Sequence, residues 1–145
     1  MLKVQEINPQ IGYYLAGFAD GEGSLMIVLR KRDDYKESEK ISLCFNVAQK
    51  ESYILSQFKK HLRCGTLRSR PDGVYYYEVN NFTAIWENVI PFFKKFRFLS
   101  QKKKNQFHIF IKAAEIIHEK QHVTQEGLRQ LKDLQTKMRK IREEL

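Results

Sequence analysis

YYLAGFADGEGSLMIVLR, residues 13–30, changes its period part-way along. Up to about Asp20 the apolar residues Ile11, Leu15 and Phe18 recur at helical spacing, with the small residues Gly12, Ala16, Gly17 and Ala19 between them. From Ser24 the period is two: Leu25, Ile27 and Leu29 alternate with Ser24, Met26, Val28, Arg30 and Arg32, so one strand face is core and the other grows basic. Gly21 is expected to supply a left-handed exit from the helix. Two acids, Asp20 and Glu22, crowd this junction, where the helix dipole disfavours negative charge. A plain turn does not require them, so a functional role is expected there.

The same alternation of helix and paired strands continues outward. Asn8-Pro9 has the form of a helix start, an N-cap followed by proline at the first helical position. In the strand after the polar loop RDDYKESEK, Ile41, Leu43, Phe45 and Val47 point inward and Ser42, Cys44, Asn46 and Ala48 outward. Ser52 is expected to cap a helix whose apolar face is Ile54, Leu55, Phe58 and Leu62. A second hairpin turns at Pro71-Asp72-Gly73. NNFTAIWENVIPFFKKF predicts a helix broken or ended near Pro91, and two more helices follow, over 101–120 and 124–140. The order is α-β-β-α-β-β-α with extra C-terminal helices. An α+β domain spanning 1–145 is expected, its four-stranded antiparallel sheet covered by helices on one face.

The other face would then be free, and it is basic. The chain has 145 residues, 26 Lys+Arg against 17 Asp+Glu, a net charge of +9, and a pI of about 9.6, which points to a nucleic-acid partner. Alternation puts Ser24, Met26, Arg30, Arg32, Asn46, Arg68, Arg70, Tyr75 and Tyr77 on that face. A two-stranded ribbon fits a major groove, and arginines favour guanine edges. Lys31, Lys36 and Lys40, beside the first loop, suit phosphates.

LAGFADGEGS, residues 15–24, together with this element order, resembles the LAGLIDADG homing endonucleases over most of the chain. The resemblance implies a sequence-specific, Mg²⁺-dependent double-strand DNA endonuclease, with Mn²⁺ or Ca²⁺ able to substitute in binding. A single motif implies a homodimer on a palindromic or near-palindromic site. Its paired helices would meet through Tyr13, Gly17 and Asp20. Glu22, with the Gly21 carbonyl, would hold metal; Gln49 would order the attacking water; Lys103, or else Lys102, would supply an active-site cation. Asp20 is the weaker metal ligand. A non-cleaving binding module of the same fold, an RNA maturase or a transcriptional regulator, is the alternative.

Other features point away from secretion and zinc chemistry. Cys44 and Cys64 suit two free thiols. No apolar run approaches the ~18 residues of a membrane span, and MLKVQEINPQ lacks the apolar region of a signal peptide. An intracellular protein of an organelle or a prokaryotic cytoplasm is expected, with no membrane partner. His118-Glu119-Lys120-Gln121-His122 fits the H-E-x-x-H pattern literally, but a helix ends there and no third ligand follows. His61 and Cys64 likewise lack further ligands, and Trp86 reads as core.

Overall fold

A computed structural model describes residues 1–31 and 39–144. Arg32 and Lys36 lie outside them, as does the side chain of Lys31. Helix α1 (Pro9–Glu22) leads into β1 (Gly23–Lys31) and β2 (Glu39–Gln49), then α2 (Ser52–Leu62), β3 (Thr66–Ser69) and β4 (Tyr75–Val79). A helical segment at 82–95 (α3), α4 (Gln101–His118) and α5 (Gln125–Glu143) complete the order. The strands form one antiparallel sheet, as the two hairpins predicted, in the order β1-β2-β4-β3.

Asn8 caps α1, its Oδ1 accepting from Gln10 N at 2.8 Å. The helix runs two residues past the expected end, through Glu22, and Gly21 does not take the left-handed conformation. The chain leaves through Gly23 in an extended conformation (φ −85°, ψ 157°), its N–H bonded to Ala19 O. A Cβ at Gly23 would stand 2.8 Å from that oxygen. Close approach of strand to helix, not positive φ, therefore requires this glycine.

The small residues of α1 divide. Ala16 and Ala19 are buried in the chain's own core, and a Cβ on Gly12 would lie 2.3 Å from the ring of Phe96. Gly17 and Gly21 are exposed, and a Cβ on either meets nothing within 4 Å.

Register fixes the two sheet faces. Gly23 pairs with Val47, Ser24 with Asn46, Met26 with Cys44 and Arg30 with Lys40. Leu25, Ile27, Leu43, Phe45 and Val47 are buried beneath helices. On β4 the expected parity is reversed: Tyr77 is fully buried opposite Val47 and Leu67, and Tyr75 packs against the core. Tyr77 stacks on Phe58 at 5.9 Å and donates its hydroxyl to Cys64 O at 2.7 Å. That bond satisfies its one polar atom, so a tyrosine can fill a core position. The outward residues of β4 are Tyr76, opposite Arg68 and Ala48, and Glu78. Gly73, at φ +85°, closes the second hairpin by donating to Arg70 O at 3.0 Å.

The start of α2 differs from expectation, and near Pro91 the third helix is broken rather than ended. The residue before α2 is Glu51, with no side-chain cap, and Ser52 is the first helical residue. The third helix does not stop at Pro91. Residues Ile85–Val89 widen into a π-helical turn just before it and the helix continues through Ile90–Lys95. Proline lacks the N–H of a regular turn and its ring crowds the carbonyl four residues back. That carbonyl, on Glu87, instead accepts from Leu2 N at 2.8 Å.

Helix α5 covers the edge strand β1, and Gln135 Nε2 donates to Ile27 O at 3.0 Å. This satisfies an edge carbonyl that would otherwise be open to another strand. Among the described residues no helix is long and apolar enough to cross a membrane.

Candidate functional site

The junction of α1 and β1 opens on a recess of about 260 Å³ lined by Asp20, Gly21, Gly23, Ser24, Leu25, Ser100, Lys102, Lys103, Gln106 and Arg142. It draws on α1, β1, α4 and α5 at once.

Asp20 organises one wall. Its Oδ2 accepts from the backbone N–H groups of Leu99 at 2.8 Å and Ser100 at 2.9 Å, and Oδ1 accepts from the Ser100 hydroxyl. Ser100 in turn caps α4, its Oγ accepting from Lys103 N at 3.2 Å. The acid thus fastens the end of α1 to the start of α4, an intramolecular role that the sequence did not reveal. Partial burial raises its pKa, but the Ser100 and Leu99 bonds and the Lys103 charge outweigh this and hold it below the ordinary carboxylate value. A depressed carboxylate contributes stability above its unfolded pKa and loses it as pH falls through the folded one. Asp20→Asn should therefore melt below wild type near neutrality, and the gap should close below about pH 4. Thermal melts of both proteins across that range check this.

The lysines separate. Lys103 Nζ donates to Gly23 O at 2.5 Å, at the recess wall. Burial lowers its pKa; Asp20 opposes this, and Lys102 and Arg142 reinforce it. Lys102 turns to the end of α5 instead, donating to Glu144 O at 2.7 Å and Arg142 O at 3.4 Å.

Glu22 is exposed between the lining residues Gly21 and Gly23. Its carboxylate has no hydrogen bond or ion pair among the described residues. The carbonyls of the last helical turn, Gly21 included, lack intrahelical donors. No three His, Cys, Asp or Glu side chains converge among the described residues. The groups here that could hold a metal, the Glu22 carboxylate and the Gly21 carbonyl, offer oxygen donors only. Such a site fits a hard ion that keeps waters and binds substrate phosphate, and does not fit zinc. Gln49 ends β2, two residues past the Val47–Gly23 pair. It is half-buried, and its Oε1 accepts from Lys50 N at 3.0 Å.

The outer sheet face carries the expected polar array with one exchange. Arg30, Lys40, Arg68 and Arg70 are exposed; Ser24, Met26 and Asn46 are half-exposed. Tyr76 replaces Tyr75 and Tyr77 there, with the Arg70 guanidinium 5.0 Å from its ring centroid. Burial, then Glu78, pushes the Cys44 thiol up to about 11, so it stays protonated on this face. His118 stacks on Trp86 at 4.1 Å, away from the geometry of a zinc helix.

A third feature is the open side of α1. Tyr13 (55% exposed), Gly17 and Gly21 follow at four-residue spacing, flanked by Tyr14 (62%). Leu99, held by Asp20, is 86% exposed. Sequence patterning missed Leu99, Gln106 and Arg142, because only the meeting of α1, α4 and α5 brings them here.

An acid-tipped helix feeding a sheet with a free basic face defines the class, an α+β fold of the homing-endonuclease type. A profile of the LAGLIDADG endonucleases matches residues 15–114, and the chain belongs to that family. It is 32% identical over 120 residues to an uncharacterized cox1 intron-2 37.2 kDa protein of Schizosaccharomyces pombe, covering 83% of this chain and 36% of that protein. It is 30% identical over 102 residues to the DNA endonuclease I-CreI of Chlamydomonas reinhardtii, covering 68% and 60%. The crystal structure of the LAGLIDADG homing endonuclease I-SmaMI bound to cleaved DNA superposes with a TM-score of 0.83 at 30% identity, over 90% of this chain and 44% of that one. A second I-SmaMI structure holds uncleaved DNA in the presence of calcium ions. The chain thus spans less than two thirds of each relative's length.

Proposed function

We propose that this protein is a sequence-specific DNA endonuclease that cuts both strands of a palindromic or near-palindromic site as a homodimer. The single observation that carries this is Glu22, an unpartnered carboxylate at the tip of α1, beside a cationic recess and directly before the free sheet face. Two copies apposed along Tyr13, Gly17 and Gly21 would bring two such tips together, each copy forming one domain of the assembly. The match to this chain covers 44% of the I-SmaMI chain, which leaves room there for a second domain of this size and supports pairing of two such domains.

Glu22 and the Gly21 carbonyl would hold Mg²⁺, with Mn²⁺ or Ca²⁺ able to support binding. When bound, the ion supplies Lewis-acid stabilisation and a nucleophilic water at neutral pH. The residues of the chain do the rest. Arg30, Lys40, Asn46, Arg68, Arg70 and Tyr76 bind and register the duplex on the sheet. Gln49 orients the attacking water through its amide, and Lys103 stabilises negative charge developing on the phosphate. Asp20 keeps α4, and hence Lys103, in place. The intron-linked S. pombe relative supports an intron-borne gene, and the protein would act in whichever compartment, organelle or prokaryotic cytoplasm, holds that gene.

A supercoiled plasmid carrying the uninterrupted exon junction of the host gene should be linearised with Mg²⁺ and left intact with EDTA. Tight, sequence-specific binding without any Mg²⁺-dependent nicking would instead assign a binding module, such as a splicing maturase or regulator.

A further inference from the structure

The C-terminal helix delivers one more cation to the recess. Arg142, in the last turn of α5, lines it together with Lys102 and Lys103, although 40 positions separate it from Lys102. It lies beyond the 15–114 stretch that the family profile matches. Its placement is built: Lys102 donates to the carbonyls of Arg142 and Glu144, pairing an ammonium with the negative end of the helix. The residue is exposed, and its side chain has no partner among the described residues.

Three positive side chains therefore converge on a recess whose one lining acid, Asp20, already has both oxygens committed to Leu99 and Ser100. Like charges repel: burial lowers the Lys103 pKa most, and Lys102 and Arg142 lower it further against Asp20. An anion entering the recess relieves that repulsion. A phosphate suits it best, because the planar guanidinium fork matches two phosphate oxygens.

We propose that Arg142 is a catalytic residue that grips the phosphate being cut, with Lys102 as the positioning residue that holds it there. This rests on the endonuclease reading above. Arg142 transfers no proton; it stays charged and stabilises the negative charge that develops on the non-bridging oxygens.

The test uses the full chain and a duplex of the host exon junction, with affinity measured in Ca²⁺ and single-turnover cutting in Mg²⁺. Arg142→Ala should slow cutting by about 10²-fold while changing Kd by no more than about threefold. Arg142→Lys should recover only part of the rate, because it loses the fork. Lys102→Ala should also slow cutting, and adding it to Arg142→Ala should cost less than about twofold more, since the two act through one contact. Arg139→Ala, an exposed cation of the same helix outside the recess, should cut at the wild-type rate. Circular dichroism melts confirm that each variant is folded.

An Arg142→Ala protein that cuts as fast as wild type overturns the proposal. So does a rate loss matched by an equal loss of affinity, which would make Arg142 a ground-state contact only. Wild type that binds but never cuts is a distinct result; it overturns the endonuclease reading and Arg142's catalytic role with it.

Discussion

Glu22→Gln is expected to abolish cleavage, by about 10³-fold or more, and to leave DNA binding and folding intact. Glutamine keeps the shape of the side chain and removes its charge. Glu22 is exposed and has no partner among the described residues, so folding has little to lose; surface changes of this kind stay within about 0.5 kcal/mol. The loss is specific to chemistry because a neutral amide is a poor ligand for a hard divalent ion. Linearisation of the host-junction plasmid, beside a Ca²⁺ binding titration, measures both halves. If Glu22→Gln cuts as well as wild type, Glu22 is not the metal ligand.

Gly17→Leu should have the second largest effect and should act only between copies. Within one chain a Cβ at Gly17 meets nothing within 4 Å. Replacing a helical glycine gains about 0.5–1 kcal/mol of helix propensity, so the separated chain should melt no lower than wild type. Two α1 helices packed along Tyr13, Gly17 and Gly21 could not admit the larger side chain. The variant should therefore run as a monomer in sedimentation equilibrium and lose double-strand cutting. A Gly17→Leu dimer of unchanged affinity would remove this face from the interface. Gly12 provides the contrast: its added Cβ would strike Phe96 inside the chain, so the same change there would damage folding rather than pairing.

Sequence patterning located β1, β2 and β4 because one face of each is buried and a one-residue slip would expose the core; it placed β3, exposed except for half-buried Leu67, from the turn at Pro71-Asp72-Gly73. It failed on β4, where Tyr75, Tyr76 and Tyr77 in succession carry no hydropathy contrast. The parity was nevertheless available from Glu78 and Val79. Near Pro91 the expected interruption takes the form of a π-turn rather than an end, because Leu2 takes the Glu87 carbonyl and the helix runs on. At the site, the motif residues were legible because they are contiguous. Asp20's bonds to Leu99 and Ser100 were not, since they join groups 79 and 80 positions apart.

By itself, then, the sequence determined the element order, the inward face of the first hairpin and the acid-bearing junction, all properties of local period and spacing. Tertiary structure decided which small residues of α1 serve the chain's own core and which remain open, because that depends on where Phe96 and the sheet lie. It also decided that Lys103 reaches Gly23 while Lys102 anchors α5, and that Arg142 joins them. Adjacent positions on a helix point about 100° apart, and only the packing of α4 against its neighbours sets what each one meets.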